Sequence, residues 1–435
     1  MEGPVVIVGG GYSGAMLAAR LAEQGRASTL IERGQAIGLG VAYSTAFDGH
    51  LLNVRSGSMS AIADDPMHFV RWLTIHDPDI ASPDAFAPRR VFGLYVQDRL
   101  VEVEGAHPGM IERVVGEAAE IGDGVVRLAD GRTIAAGAVV LATGNPAPTT
   151  ARQSKQGEAV IPDPWAPGAL DRIGEADDIV IVGTGLTMVD MLLVLEARGW
   201  RGRARALSRR GLMPRAHETE PDAPADPGPE MVSGPLSQRT HAARRLARRA
   251  GWRSMMEGLR PVTADLWHHA DGLTRSAIVR HLRPWWDVHR HRIAPEVAGV
   301  MYRLLSDHRL TLAAGRVRGI SEGSGGDVVL DWTPRHGPAQ PPMTAKWLID
   351  CTGPGHDPAA DPLTGPLIAS GRARLDPLRL GLDLDGLGRV VDARGRADRR
   401  LFVLGPPARA AFWETIAVPD IRKRIEDVVV ALGTA

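Results

Sequence analysis

Two glycine-rich stretches hold the residues best placed to do chemistry. Gly9-Gly10-Gly11-Tyr12-Ser13-Gly14 has the spacing G-x-G-x-x-G. Gly9 allows a tight turn, Gly11 lets a pyrophosphate approach the backbone, and Gly14 lets a helix pack closely on a strand. Glu32, followed by Arg33, stands near the spacing of about 20 residues at which a carboxylate accepts from ribose hydroxyls. The second stretch, Gly183-Thr184-Gly185-Leu186-Thr187-Met188, keeps two glycines and has Met188 for the third, so helix and strand are expected to sit slightly further apart. Ser208-Arg209-Arg210 then replaces the acid. A guanidinium there can fork onto a 2′-phosphate, which favours NADPH over NADH.

These turns work only between a strand and a helix, and the flanking sequence supplies both. Val5–Val8 and Ile179–Val182 read as buried parallel strands. The apolar spacing predicts helices over Ala15–Leu21 and Val189–Arg198, with strands Ser28–Glu32 and Ala204–Leu207 after them. Each helix N-terminus offers free N–H groups and a positive dipole end to phosphates. Downstream of the first unit come Val114–Ile121, Val125–Leu128 and Ala138–Ala142, ending Thr143-Gly144; downstream of the second come Leu310–Ile320, Val328–Trp332 and Lys346–Asp350, ending Cys351-Thr352-Gly353. The expected fold class is α/β: two Rossmann-like dinucleotide-binding domains, three-layered, each a parallel sheet plus a β-meander, with a helical insertion. The expected division is 1–150 for the first part of one domain, 151–350 for the second with its insertion at about 230–310, and 351–435 returning to the first. Two nucleotides in one chain are most simply a bound flavin, FAD, and an exchanging nicotinamide, NADPH.

Composition narrows the class. The chain has 435 residues, 51 basic and 51 acidic, and one cysteine. Zero net charge argues against nucleic acid as a partner. One cysteine excludes a disulfide framework and a dithiol redox centre. Only Lys155, Lys346 and Lys423 are lysines, the other basic residues being arginines, so a lysine base or Schiff base has few candidates. No apolar run reaches about 18 residues and the N-terminus lacks a signal-peptide core, so no membrane partner and a cytoplasmic location are expected. The sequence is compatible with a homo-oligomer.

The densest cluster of reactive types is Trp285-Trp286-Asp287-Val288-His289-Arg290-His291-Arg292. His289, His291 and Arg290 are candidates for catalysis, since imidazole titrates near neutrality. A metal is not expected, because Asp287 is the only nearby acid. Further candidates are a flexible Pro221–Pro229 lid, a basic helical stretch with Arg244, Arg245, Arg248 and Arg249, and a helix at Pro66–Leu73 capped by Asp64 or Asp65. Leu401–Gly405 reads as a buried strand, and Pro419 as the first turn of a helix over Asp420–Leu432.

The chain resembles flavoproteins with two dinucleotide-binding domains, and more closely an FAD/NAD(P)-binding family related to N-hydroxylating and Baeyer–Villiger monooxygenases. The segments that carry this are Gly38–Tyr43, Leu51–Val54, Leu141-Ala142-Thr143-Gly144, Gly185–Asp190, Ser208–Gly211, Trp286–Arg292 and Phe412–Thr415. By resemblance, Gly40, Ala42, Tyr43, Asn53, Val54, Met59, Ala61, Ala142, Thr143, Gly144, Thr352 and Gly353 are cofactor neighbours, and Gly405, Thr415 and Ile416 close the flavin site. The histidine that Baeyer–Villiger enzymes carry ahead of the tryptophan is missing before Trp165. The resemblance implies an NADPH-dependent FAD monooxygenase in which a C4a-(hydro)peroxyflavin, formed with O2, oxygenates a small nucleophile, with N-hydroxylation of an amine or amino acid favoured. An FAD-dependent dehydrogenase or electron-transfer reductase and a non-catalytic FAD-binding sensor are the alternatives.

Overall fold

A computed structural model of the chain describes residues 3–145, 157–353, 355 and 357–433. Short β-branched runs build the middle of each sheet. Val5–Val8 lies between Ser28–Glu32 and Ala138–Leu141, parallel to both. Its sheet continues to Ile111–Val115 on one side and to Ala397–Val403 and Arg389–Val391 on the other, only the last pair being antiparallel. The chain thus returns near its C-terminus to complete the sheet it began. Ile179–Val182 is the corresponding centre of a second sheet, between Ala204–Ser208 and Trp347–Asp350.

Both sheets are buried on two faces. On one face of the first lie the helices Tyr12–Glu23, Arg89–Ala106 and Val418–Gly433. On the other lies an antiparallel meander, Ala118–Ile121, Val125–Leu128 and Thr133–Ala135. The second sheet has the helices Leu186–Ala197 and Pro295–Ser306 on one face and the strands Val328–Pro334 and Met343–Ala345 against the other. This is the three-layer α/β arrangement of paired Rossmann-like units. The junction expected at residue 150 lies outside the described residues.

Local details correct the expected boundaries. Both glycine-turn helices begin earlier than expected, at Tyr12 and Leu186, because the glycine turn passes into helical backbone immediately after an extended Gly11 or Gly185. Val114–Ile121 is not one strand: Ile111–Val115 joins the parallel sheet, and Gly116 donates its N–H to the Glu32 carbonyl before the meander starts. In the second unit Leu310–Glu322 is unbroken, pairing parallel with Ala204–Ser208 and then antiparallel with Val328–Pro334. The helix expected at Pro66–Leu73 runs His68–His76 and has no side-chain cap; Asp65 is instead paired with Arg71. The stretch expected to be a flexible lid is tied down: Ala225 N–H donates to the Ser254 carbonyl at 2.9 Å, and Asp222 meets Arg292 at 3.4 Å. No helix among the described residues is long and apolar enough to cross a membrane.

Candidate nucleotide and flavin site

The first turn is set by crowding. Gly9 has φ +106°, and a β-carbon there would collide with the Ala142 carbonyl; one on Gly14 would collide with the Gly9 carbonyl. The Ala142 N–H donates to the Val8 carbonyl at 2.8 Å, which brings Ala142, Thr143 and Gly144 beside the turn. Gly40 stands over Gly11, 3.5 Å from where its β-carbon would be. Ser13 is buried against Gly405, where a β-carbon would come within 2.6 Å of the Ser13 hydroxyl. Two glycines at Gly11 and Gly40, with helix Tyr12–Glu23 opening beneath them, make a cradle lined by backbone that a side chain would fill. Glu32 receives the Gly10 N–H at 2.6 Å and the Arg33 N–H at 2.8 Å, so its carboxylate is fixed beside the turn. Arg33 is exposed.

Other expected flavin neighbours are distributed around this cradle. Tyr43 packs its ring 4.8 Å from Phe92, and Tyr12 lies 6.4 Å from Tyr43 with its hydroxyl buried and unpartnered. Ala42 is exposed, as is Val41 at 67%. Val54 packs on the first core, and Met59 lies within it. Ala61 N–H donates to the Tyr95 hydroxyl at 3.0 Å. Thr415 is buried with an unpartnered hydroxyl, and Ile416 is 40% exposed. Unpartnered buried hydroxyls and an apolar Ile416 left open suit a group that is both aromatic and polar, as FAD is.

The second turn repeats the construction. Gly183 has φ +111°, and a β-carbon there would collide with the Cys351 carbonyl, so Thr352 and Gly353 are brought beside it. A β-carbon on Gly185 would meet nothing within 4 Å, leaving open space ahead of helix Leu186–Ala197, which begins with Leu186 and Thr187. Thr184 donates to the Ser208 hydroxyl at 2.8 Å, and Ser208 accepts the Gly211 N–H at 3.0 Å. Ser208 therefore shapes the loop, while Arg209 is exposed and neither Arg209 nor Arg210 has an ion-pair partner among the described residues. Two unpaired guanidiniums beside an open turn fit a phosphorylated dinucleotide. Met188 is fully buried. Burial pushes the Cys351 thiol well above its ordinary pKa.

The cluster of catalytic candidates is largely committed. Arg290 is buried and meets Glu414 at 3.2 Å and Asp420 at 3.3 Å. Trp286 donates to the same Glu414 at 2.9 Å, so the insertion is pinned to the segment that follows Trp413, itself at φ +60°. His289 Nδ1 donates to the Trp285 carbonyl at 2.7 Å. His291 is pushed down to about 3, by desolvation first and then by Arg290, Arg409, Arg260 and Arg283 around it. A proton shuttle at neutral pH gains nothing from that displacement.

Sequence reasoning passed over the contacts that join the two units. Arg89 makes two bonds of 3.0 Å to Asp190, both side chains being mostly buried. His50 is buried, its ring bonded to the Asp190 carbonyl at 3.0 Å and the Thr45 hydroxyl at 2.7 Å. Desolvation lowers its pKa. Trp165 packs on the same imidazole, 5.5 Å between rings. His217 donates to the Asn53 carbonyl at 3.1 Å. The signal available was Asp190 itself, an acid among Met188, Val189, Met191 and Leu192.

Comparison with known proteins agrees with this geometry. A family model described as FAD-NAD(P)-binding matches residues 6–146. No curated protein matches the chain significantly by sequence. Among solved structures, the chain is similar to the ornithine N-hydroxylase of Kutzneria sp. 744 (17% identity, TM-score 0.66, covering 99% of this chain and 98% of that one). It is similar to L-lysine 6-monooxygenase of Pseudomonas syringae (14%, 0.67, 99% and 99%). It is also similar to the FAD-bound cadaverine monooxygenase of Erwinia amylovora (13%, 0.70, 99% and 94%). At these identities the likeness is one of fold, and it runs the length of the chain.

Proposed function

We propose that the chain is an NADPH-dependent FAD monooxygenase acting on a small nucleophile, with an amine or amino-acid nitrogen as the atom oxygenated. The observation that carries this is the pairing of two glycine turns in one chain, the first beside a fixed carboxylate, the second open and followed by two arginines without an ion-pair partner among the described residues. On this reading residues 1–150 and 351–435 form the FAD unit and 151–350 the NADPH unit, a division supported by the return of Ala397–Val403 to the first sheet. The full-length likeness in fold to an ornithine N-hydroxylase, an L-lysine 6-monooxygenase and a cadaverine monooxygenase supports the nitrogen substrate.

The chain's own residues bind, orient and exclude water. Gly9–Gly14 and the helix beginning at Tyr12 would hold the FAD pyrophosphate, with Glu32 on the ribose. Gly183–Thr187 would hold the NADPH pyrophosphate, with Arg209 and Arg210 on the 2′-phosphate. Helix Val418–Gly433 directs its N-terminus toward the segment of Thr415 and Ile416, where its dipole favours negative charge. When bound, FAD would supply the redox chemistry, the passage of two electrons from NADPH to O2, with one oxygen atom going to the substrate and the other to water. No protein nucleophile is needed, which suits a chain whose one thiol is buried.

The test is to load the purified protein with FAD, add NADPH and O2, and assay a panel of amines and amino acids for hydroxylamines by mass spectrometry. Hydroxylamine formation that consumes NADPH supports the reading. NADPH oxidation that yields only hydrogen peroxide with every compound, or no oxidation at all, refutes it.

A further inference from the structure

The contact between the two nucleotide units is an ion pair where an apolar one would serve stability as well. Asp190 lies in the second turn of helix Leu186–Ala197, whose neighbours along the chain are apolar. Its side chain is 6% exposed and that of Arg89 is 16% exposed. A buried pair of this kind recovers little net free energy after desolvation, and apolar replacements of similar volume are often no less stable. What it does supply is register, because a planar guanidinium meets a carboxylate in one orientation.

The bonds around the pair lead in two directions. Toward the second unit, Asp190 is one turn from the open N-terminus at Gly185. Toward the first, Arg89 Nε donates to the Leu51 carbonyl at 3.1 Å and its backbone N–H donates to the His50 carbonyl at 2.8 Å. The His50 ring closes the loop on the Asp190 carbonyl. The same stretch continues to Asn53, whose carbonyl accepts from His217, and to Arg55, which donates to the Asp84, Glu218 and Thr219 carbonyls. One network thus fastens the nicotinamide-side helix to residues 50–55.

We propose that Arg89 and Asp190 are positioning residues which fix the NADPH-binding helix relative to the loop at residues 50–55, and so set the geometry of hydride transfer between the two nucleotides. This rests on the function proposed above. In that transfer NADPH gives up a hydride and becomes NADP+, and FAD gains the hydride and one proton from water, so both electrons are accounted for. A misplacement of about 1 Å at such a site costs on the order of 100-fold in rate.

The experiment compares the wild type, Asp190→Asn and the apolar double variant Arg89→Met/Asp190→Leu, each loaded with FAD. Asp190→Asn leaves Arg89 buried without its charge partner and lowers the Tm. The double variant removes both charges and recovers most of that Tm. The expected result is that its FAD content and its reduction by dithionite match the wild type, while its limiting rate of reduction by saturating NADPH stays down about 10- to 100-fold. In the cofactor-free proteins, amide hydrogen exchange over residues 50–55 and 186–190 is expected to be faster in the double variant. A double variant that regains both Tm and the rate of reduction by NADPH overturns the proposal, as does unchanged exchange in those two segments. If wild-type protein binds FAD but NADPH does not reduce it, the proposed function fails, and the exchange measurement still decides whether the pair fixes the loop.

Discussion

The two glycine turns are built alike where a strand must end against its neighbour and differ where a ligand would tell them apart. Gly9 and Gly183 both adopt positive φ and both face a carbonyl, of Ala142 and Cys351 respectively, just past the end of the adjoining strand. After that the units diverge. Gly14 packs its helix against the turn without a side chain, whereas Met188 fills the equivalent place and is buried in the core. Gly11 is covered by Gly40, whereas Gly185 faces open space. Glu32 is fixed by backbone N–H groups, whereas Arg209 and Arg210 have no ion-pair partner among the described residues. A covered turn suits a cofactor that stays, and an open turn suits one that leaves. The shared features belong to the fold, and the differing ones support the proposed assignment of FAD to the first turn and NADPH to the second.

The largest expected effect tests the shared part. Gly9→Ala and Gly183→Ala each force a strained backbone and a collision with a carbonyl, worth about 4 kcal/mol or more. Gly9→Ala is expected to yield protein without FAD. Gly183→Ala is expected to keep FAD, by its absorbance, and to lose reduction by NADPH. If both lose FAD, the two turns do not serve different nucleotides. Met188→Ala comes next, at about 2–5 kcal/mol of stability by denaturant titration, because it opens a cavity in the second core. Met188→Leu is expected to cost less than about 1.5 kcal/mol. Equal losses from the two would mean that volume at this position is not what matters.

Arg209→Ala/Arg210→Ala tests the differing part. Loss of charge-assisted bonds to a 2′-phosphate is worth about 1.5–3 kcal/mol, a rise in the KM for NADPH of roughly tenfold to a hundredfold. The KM for NADH is expected to stay put; an equal rise in both contradicts the assignment.

The smallest effect concerns the seam between the units. His217 is pushed from 6.5 to about 3, by desolvation and then by Arg292. Between those values the unfolded chain binds a proton that the folded chain does not, so stability falls as pH drops through 6.5 and is unaffected above it. At about pH 5.5 the loss from this group is about 1.4 kcal/mol. His217→Gln can still donate to Asn53, and its Tm is expected to fall less steeply than the wild type's between pH 7 and about pH 5.5. Identical slopes would remove His217 from the account.

Much of this was legible in the sequence, for reasons visible in particular residues. Glycine turns and β-branched strands are local signals, so Val5–Val8, Ser28–Glu32 and Ile179–Val182 lie where periodicity puts them. The break at Gly116 was not legible, because both pieces are extended and only their pairing, with Ser28–Glu32 and with Val125–Leu128, separates them. Asp65 has the residue type and position of a cap, yet it pairs with Arg71, a choice that tertiary packing makes. The Arg89–Asp190 pair was hidden for another reason. Its partners are far apart in the chain, and only their packing identifies one arginine among many. The acidic and basic residues around Trp286 drew attention as chemistry and proved to include an anchor, Arg290 on Glu414 and Asp420.

The central claim is that electrons entering at the second turn leave through the first to oxygen and a nitrogen substrate. The most direct measurement is the ratio of hydroxylamine formed to NADPH consumed by the FAD-loaded protein with its best amine or amino-acid substrate, with hydrogen peroxide assayed in the same reaction. The account predicts that the hydroxylamine matches most of the NADPH and that peroxide falls as substrate is added. NADPH consumption matched by peroxide alone, whatever amine is supplied, would contradict it.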